Sequence, residues 1–82
     1  MDKKGIKIPC YHGTNTKKNQ QLIIKNGFKD GTYFARHMED ALEYGGEYIF
    51  TVYFDEYEIN GGWQFTVDAL GPEVISRINT IT

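Results

Sequence analysis

Tyr11-His12-Gly13-Thr14, then Gly31-Thr32-Tyr33-Phe34-Ala35, then Tyr44-Gly45, are the most informative segments of this chain. The chain around them reads as alternating short strands and helices. Ile6 to Tyr11 is a first strand, with Pro9 pointing to an edge position or a bulge. Thr14, Asn15 and Thr16 are N-cap residues for a helix over Lys17 to Asn26. That helix is expected to bury Leu22 and Ile23 or Ile24. Gly27 stops it, Phe28 packs back on its last turn, and Lys29-Asp30-Gly31 turns the chain.

Thr32 to Ala35 follows as a short strand, and Met38 to Tyr44 as a second helix that ends at Gly45-Gly46. Tyr48 to Phe54 is apolar on both faces and predicts a central strand. Asp55 to Asn60 with Gly61-Gly62 reads as a loop. From Trp63 to Ala69 the pattern alternates: Trp63, Phe65, Val67 and Ala69 face one way, Gln64, Thr66 and Asp68 the other. Gly71-Pro72 turns the chain into a last strand over Val74 to Ile81. The order β-α-β-α-β-β-β makes residues 1–82 a single α+β domain, a sandwich around a split sheet with two short helices.

At 82 residues the stability margin is thin, and the 15% aromatic content is what supplies apolar burial. A net charge of -2 argues against a nucleic-acid partner held on a broad basic surface. Lys3-Lys4 with Lys7 reads as a solvated tail. Cys10 is the single cysteine, so no internal disulfide forms, and it reads as a small buried hydrophobe. His12, His37 and Cys10 lack metal-ligand spacing, so no metal site is expected. Without a membrane-spanning run or a secretory signal, the expected setting is cytoplasmic and soluble.

Taken singly, the notable residues have ordinary readings. His12 is a strand-end histidine bonded to backbone, and Tyr33 and Tyr44 are core aromatics with hydroxyls at the surface. Trp63 is a core anchor, and His37 is solvated near a helix start. Their joint order carries more. Tyr11-His12-Gly13-Thr14 on the first strand, Tyr33-Phe34-Ala35 on the second, and Tyr44 at the end of the following helix resemble the ADP-ribosyltransferase fold. The branch is the one that includes diphtheria-toxin-like enzymes and the poly(ADP-ribose) polymerases. Tyr33 and Tyr44 stand eleven residues apart, as in that branch.

The resemblance implies a split β-sandwich of the ADP-ribosyltransferase type and NAD as substrate. It implies transfer of single ADP-ribose units to a macromolecular acceptor, or hydrolysis of NAD if water is the acceptor. By it, His12, Gly13 and Thr14 bind NAD, with His12 on a ribose hydroxyl. Tyr33 and Tyr44 clamp the nicotinamide, and Gln64 takes the place of the family's catalytic glutamate. His12 and Tyr33 join Gln64 as the expected catalytic set. Ala41 stands where the polymerase branch often has a serine.

A pyridinium between two phenol faces gains about 0.5–2 kcal/mol per face. A glycine at position 13 leaves backbone N–H and C=O reachable for a carboxamide. Gln64 is neutral, so it bonds a hydroxyl without supplying a carboxylate's field, a loss of about 10²–10³ in rate. Asp68 lies too far along the strand to replace it, and Glu58 reaches it only if the Asn60-Gly61-Gly62 loop folds back. Trp63 and Glu58 are the candidates for reading a protein acceptor. The alternative is a degenerate module that keeps the fold and binds NAD, ADP-ribose or a protein partner. A third reading is an interaction protein that uses an exposed sheet edge and no nucleotide.

Overall fold

The computed structural model describes residues 7–59 and 64–80. Five strands and two helices follow one another: β1 (Lys7–Thr14), α1 (Lys17–Asn26), β2 (Thr32–Ala35), α2 (Met38–Gly45), β3 (Tyr48–Asp55), β4 (Gln64–Val67) and β5 (Arg77–Thr80). The strands form one antiparallel sheet in the order β4-β2-β1-β3-β5. The chain is therefore α+β, with a five-strand antiparallel sheet and two helices.

The pairing is uneven. β1 meets β3 along its whole length, from Lys7↔Asp55 to Thr14↔Tyr48. β2 meets β4 from Thr32↔Val67 to Ala35↔Gln64. Between β1 and β2 the register holds a single pair, Tyr11↔Ala35. Among the described residues the strands form one sheet in place of the two packed sheets of the expected sandwich, and this joint is its narrowest seam. The joint also explains Pro9. β1 is an interior strand, not an edge, but the Pro9 position has no ladder partner on its β2 side, where a missing N–H costs no bond.

The two faces of the sheet carry separate cores. Cys10, Phe28, Phe34, Phe50, Val52, Phe54 and Phe65 pack together on one face, with Ile23 of α1 against them. Their rings meet mostly edge to face, as Phe28–Phe34 and Phe34–Phe54 do at 5.1 Å between centroids. Burial pushes the Cys10 thiol up to about 11, so it stays protonated and packs as a hydrophobe. On the opposite face Ala35, Ala41 and Ile49 form a smaller core with Tyr11, Met38 and Leu42, beneath α2.

α1 starts where Thr16 Oγ1 accepts the Asn19 N–H at 3.1 Å. It ends where the Gly27 N–H donates to the Ile23 carbonyl at 2.8 Å. Gly27 has φ of 84°, and a Cβ there would lie 2.1 Å from the Leu70 carbonyl oxygen, so only glycine fits. Phe28 then bridges to Leu70. Of the expected apolar residues of α1, Ile23 packs inward while Leu22 and Ile24 are exposed, and Gln20 is buried instead. Asn19, Leu22, Ile23 and Asn26 of this helix line a cavity beside it.

Other bounds shift for local reasons. β1 continues through His12-Gly13-Thr14 because β3 supplies partners to its end. β4 is shorter than the alternation suggests, since the Ala69 N–H turns away to Asp30 Oδ1 at 2.6 Å. β5 begins only at Arg77, because Pro72–Val74 forms a 3-10 turn with proline in its first positions. Glu56–Glu58 is also a 3-10 turn, closed by a capping box between Asp55 and Glu58.

Candidate functional site

Strand alternation decides which face each expected site residue occupies. Cys10, His12 and Thr14 share the Phe-rich face. Tyr11 and Gly13 share the α2 face. In β2, Phe34 belongs to the first face, while Tyr33 and Ala35 belong to the second. Gln64 is paired with Ala35, so it stands on the α2 face with Tyr33. The resemblance brings His12 and both tyrosines to one NAD, but among the described residues they do not share one face of the sheet. The His12 ring lies on one face and the Tyr33 ring on the other, on either side of the β1–β2 joint.

His12 spans that joint. Its Nδ1 lies 2.9 Å from the Tyr33 carbonyl oxygen. A carbonyl only accepts, so Nδ1 carries the proton and donates, and Nε2 of the neutral ring is left as an acceptor. The ring sits 5.7 Å from both Phe28 and Phe34 between centroids. Burial lowers its pKa below the usual histidine range, and the bond to the Tyr33 carbonyl only partly offsets this. The ring is thus held neutral, with its acceptor nitrogen available.

His12 lines a cavity of about 530 Å³ beside α1, a size typical of small-molecule sites. Phe28, Leu22 and Ile23 give it apolar walls, and Thr14, Asn19 and Asn26 give it polar ones. Thr14 is only 7% exposed, and its hydroxyl has no hydrogen-bond partner among the described residues. A buried hydroxyl without a partner costs about 1–3 kcal/mol, so a ligand or water is expected to satisfy it. Asn19 and Asn26 are the residues that sequence reasoning missed. Their signal was present: two amides seven apart lie on one side of a helix.

On the other face Tyr33 is 50% exposed and Tyr44 is 47% exposed, so neither is a core aromatic. The Tyr44 hydroxyl has its pKa raised by burial first, then by the Asp40 carboxylate, then by Tyr33. The two tyrosines therefore share one neighbourhood. Gln64 stands diagonal to Tyr33 across the β2–β4 ladder, a placement whose usual separation is about 7–8 Å. Gly13 has a packing reason of its own. A Cβ there would lie 2.5 Å from the Ala41 carbonyl oxygen, because α2 presses its backbone onto β1.

The carboxylates considered as replacements for Gln64 are engaged or distant. Glu58 Oε1 accepts the Asp55 N–H at 2.8 Å, at the far end of β3. Asp68 lies exposed beyond the end of β4. Trp63 lies outside the described residues. Among the described residues, no group of three His, Cys, Asp or Glu side chains is placed to hold a metal ion. No helix among them is long and apolar enough to cross a membrane. Comparison with protein-family models, curated proteins and solved structures finds no match to this chain.

Proposed function

We propose that this chain is an ADP-ribosyltransferase-like domain of the split-sheet type, which binds NAD across the β1–β2 joint and transfers ADP-ribose to a macromolecular acceptor. The observation that carries the reading is the joint itself. The ladder narrows to one pair there, and His12 ties the strands together by its side chain. The cavity opens on one face, and the half-exposed pair Tyr33 and Tyr44 stands on the other.

In this reading the adenosine half occupies the α1 cavity, where His12 Nε2 accepts a ribose hydroxyl and Thr14 gains its missing partner. The cationic nicotinamide lies against Tyr33 and Tyr44, gaining about 0.5–2 kcal/mol per ring face. The C1′–nitrogen bond breaks, nicotinamide leaves with the bonding pair, and the oxocarbenium-like ribose is captured by an acceptor nucleophile, which loses its proton. Gln64 bonds the nearby hydroxyl but does not offset the positive charge, so turnover is slow.

A second reading, a module that binds NAD or ADP-ribose without turnover, draws on the same neutrality of Gln64 and on the capped state of Glu58. Nicotinamide release from NAD separates the two. Slow release supports transferase or glycohydrolase chemistry. Saturable NAD binding with no release supports the binding module. No binding at all rejects both.

A further inference from the structure

The sheet face that carries Tyr33 and Gln64 is only partly covered by α2. Beyond the helix, a groove of about 220 Å³ opens over β1, β3 and β5. Tyr11, Thr51 and Arg77 stand side by side in it, one from each strand, by the pairs Tyr11↔Thr51 and Thr51↔Arg77. Tyr53 and Ser76 line it on one side and Asn79 on the other.

Two observations point to a ligand. Thr51 is only 6% exposed, and its hydroxyl has no hydrogen-bond partner among the described residues. Arg77 is exposed and has no ion pair among the described residues. Among the described residues no acid lines the groove, and Asp55, on the same face of β3, is bonded to Lys7 at 3.0 Å and lies four residues from Thr51. A guanidinium fork beside the hydroxyls of Thr51 and Ser76 and the amide of Asn79 is a donor set for a planar or tetrahedral oxyanion. One cation and a volume of amino-acid size limit the site to a single such group.

We propose that this groove binds an oxyanion, a carboxylate or phosphate group, with Arg77 as its charge partner and the Thr51 hydroxyl as its buried donor. The site is separate from the chemistry above. Four strand spacings, about 19 Å, lie between Arg77 and Gln64 along the row Gln64–Ala35–Tyr11–Thr51–Arg77. That is too far for one bound side chain to touch both, and the groove stands whether or not NAD binds.

The test is a titration followed by backbone amide shifts. The probes are acetate, inorganic phosphate, and blocked tripeptides centred on glutamate, phosphoserine or glutamine. Saturable shifts at Thr51, Ser76 and Arg77 are expected for the anions and not for the glutamine peptide. Arg77→Gln weakens them about tenfold or more, and Thr51→Val about fivefold. Both variants should keep the wild-type spectrum elsewhere, since one site is exposed and the other change is isosteric. Tighter binding of the anionic peptides than of the free ions assigns the group to a peptide side chain, and equal binding assigns it to a free anion. Equal shifts with the glutamine peptide, unchanged affinity in Arg77→Gln, or no saturation by any probe overturns the proposal.

Discussion

The His12 ring donates from Nδ1 to the Tyr33 carbonyl at 2.9 Å, joining residues 21 positions apart where the main-chain ladder holds one pair. A side chain thus takes over from the backbone at the weakest seam of the sheet. It orients the imidazole, sets its tautomer, and holds β2 in place so that Tyr33 stands on the far face.

Burial of this ring makes stability depend on pH in a definite direction. The folded pKa of His12 lies below the unfolded value of about 6.5, because burial disfavours the charged ring. The folded state then binds fewer protons than the unfolded one between the two values. Its contribution is complete above about pH 6.5 and is lost as pH falls toward the folded pKa. His12→Asn keeps a donor near the Tyr33 carbonyl but does not titrate. Urea midpoints at pH 7.5 and 5.5 should separate more for wild type than for His12→Asn; equal separations would contradict the burial of a neutral ring.

Gly13→Ala should lower stability by about 1–3 kcal/mol, the usual cost of an overpacked site. The new Cβ meets the Ala41 and Gly46 carbonyl oxygens at 2.5 and 3.0 Å, so α2 has to move off β1. At Gly31 a Cβ meets nothing within 4 Å, and Gly31→Ala carries only the backbone cost of φ at 82°, about 1–2 kcal/mol. Denaturant unfolding of the two variants measures both. The amide shifts of α2 should move in Gly13→Ala alone.

Thr16→Ala removes the N-cap of α1 and should cost about 1 kcal/mol. Because α1 forms one wall of the cavity, the same change should raise amide exchange along Lys17–Asn26. Unchanged exchange there would show that tertiary packing, not the cap, holds the helix.

Gln64→Glu places a carboxylate diagonal to Tyr33 on a half-buried strand end. Nicotinamide release should rise by about 10²-fold if the missing field is what limits the rate. A rate equal to that of wild type would reject Gln64 as the position facing the ribose.

Much of this architecture is readable from local signals. Thr16, Gly27 and Gly31 bracket α1 and β2 at their observed bounds, because caps and turns act through their own backbone. The extension of β1 was hidden, since His12-Gly13-Thr14 reads as a strand end unless β3 is known to lie beside it. The face of His12 follows from parity with Cys10, yet the expectation of one shared pocket passed over that alternation. Glu58 belongs to a capping box whose spacing, Asp55 to Glu58, is visible in the chain. The cavity beside α1 was not legible, because Asn19 and Asn26 meet His12 and Phe28 only in three dimensions.

The most direct test of the NAD site is a titration of NAD followed by backbone amide shifts, with Tyr33→Ala as the control. Saturable shifts are expected on both sides of the seam, at His12 and Thr14 on one face and at Tyr33, Tyr44 and Gln64 on the other. In Tyr33→Ala the nicotinamide-side shifts disappear and thermal stabilisation by NAD falls away. Shifts confined to one face, or full stabilisation of Tyr33→Ala, would contradict a dinucleotide laid across the β1–β2 joint.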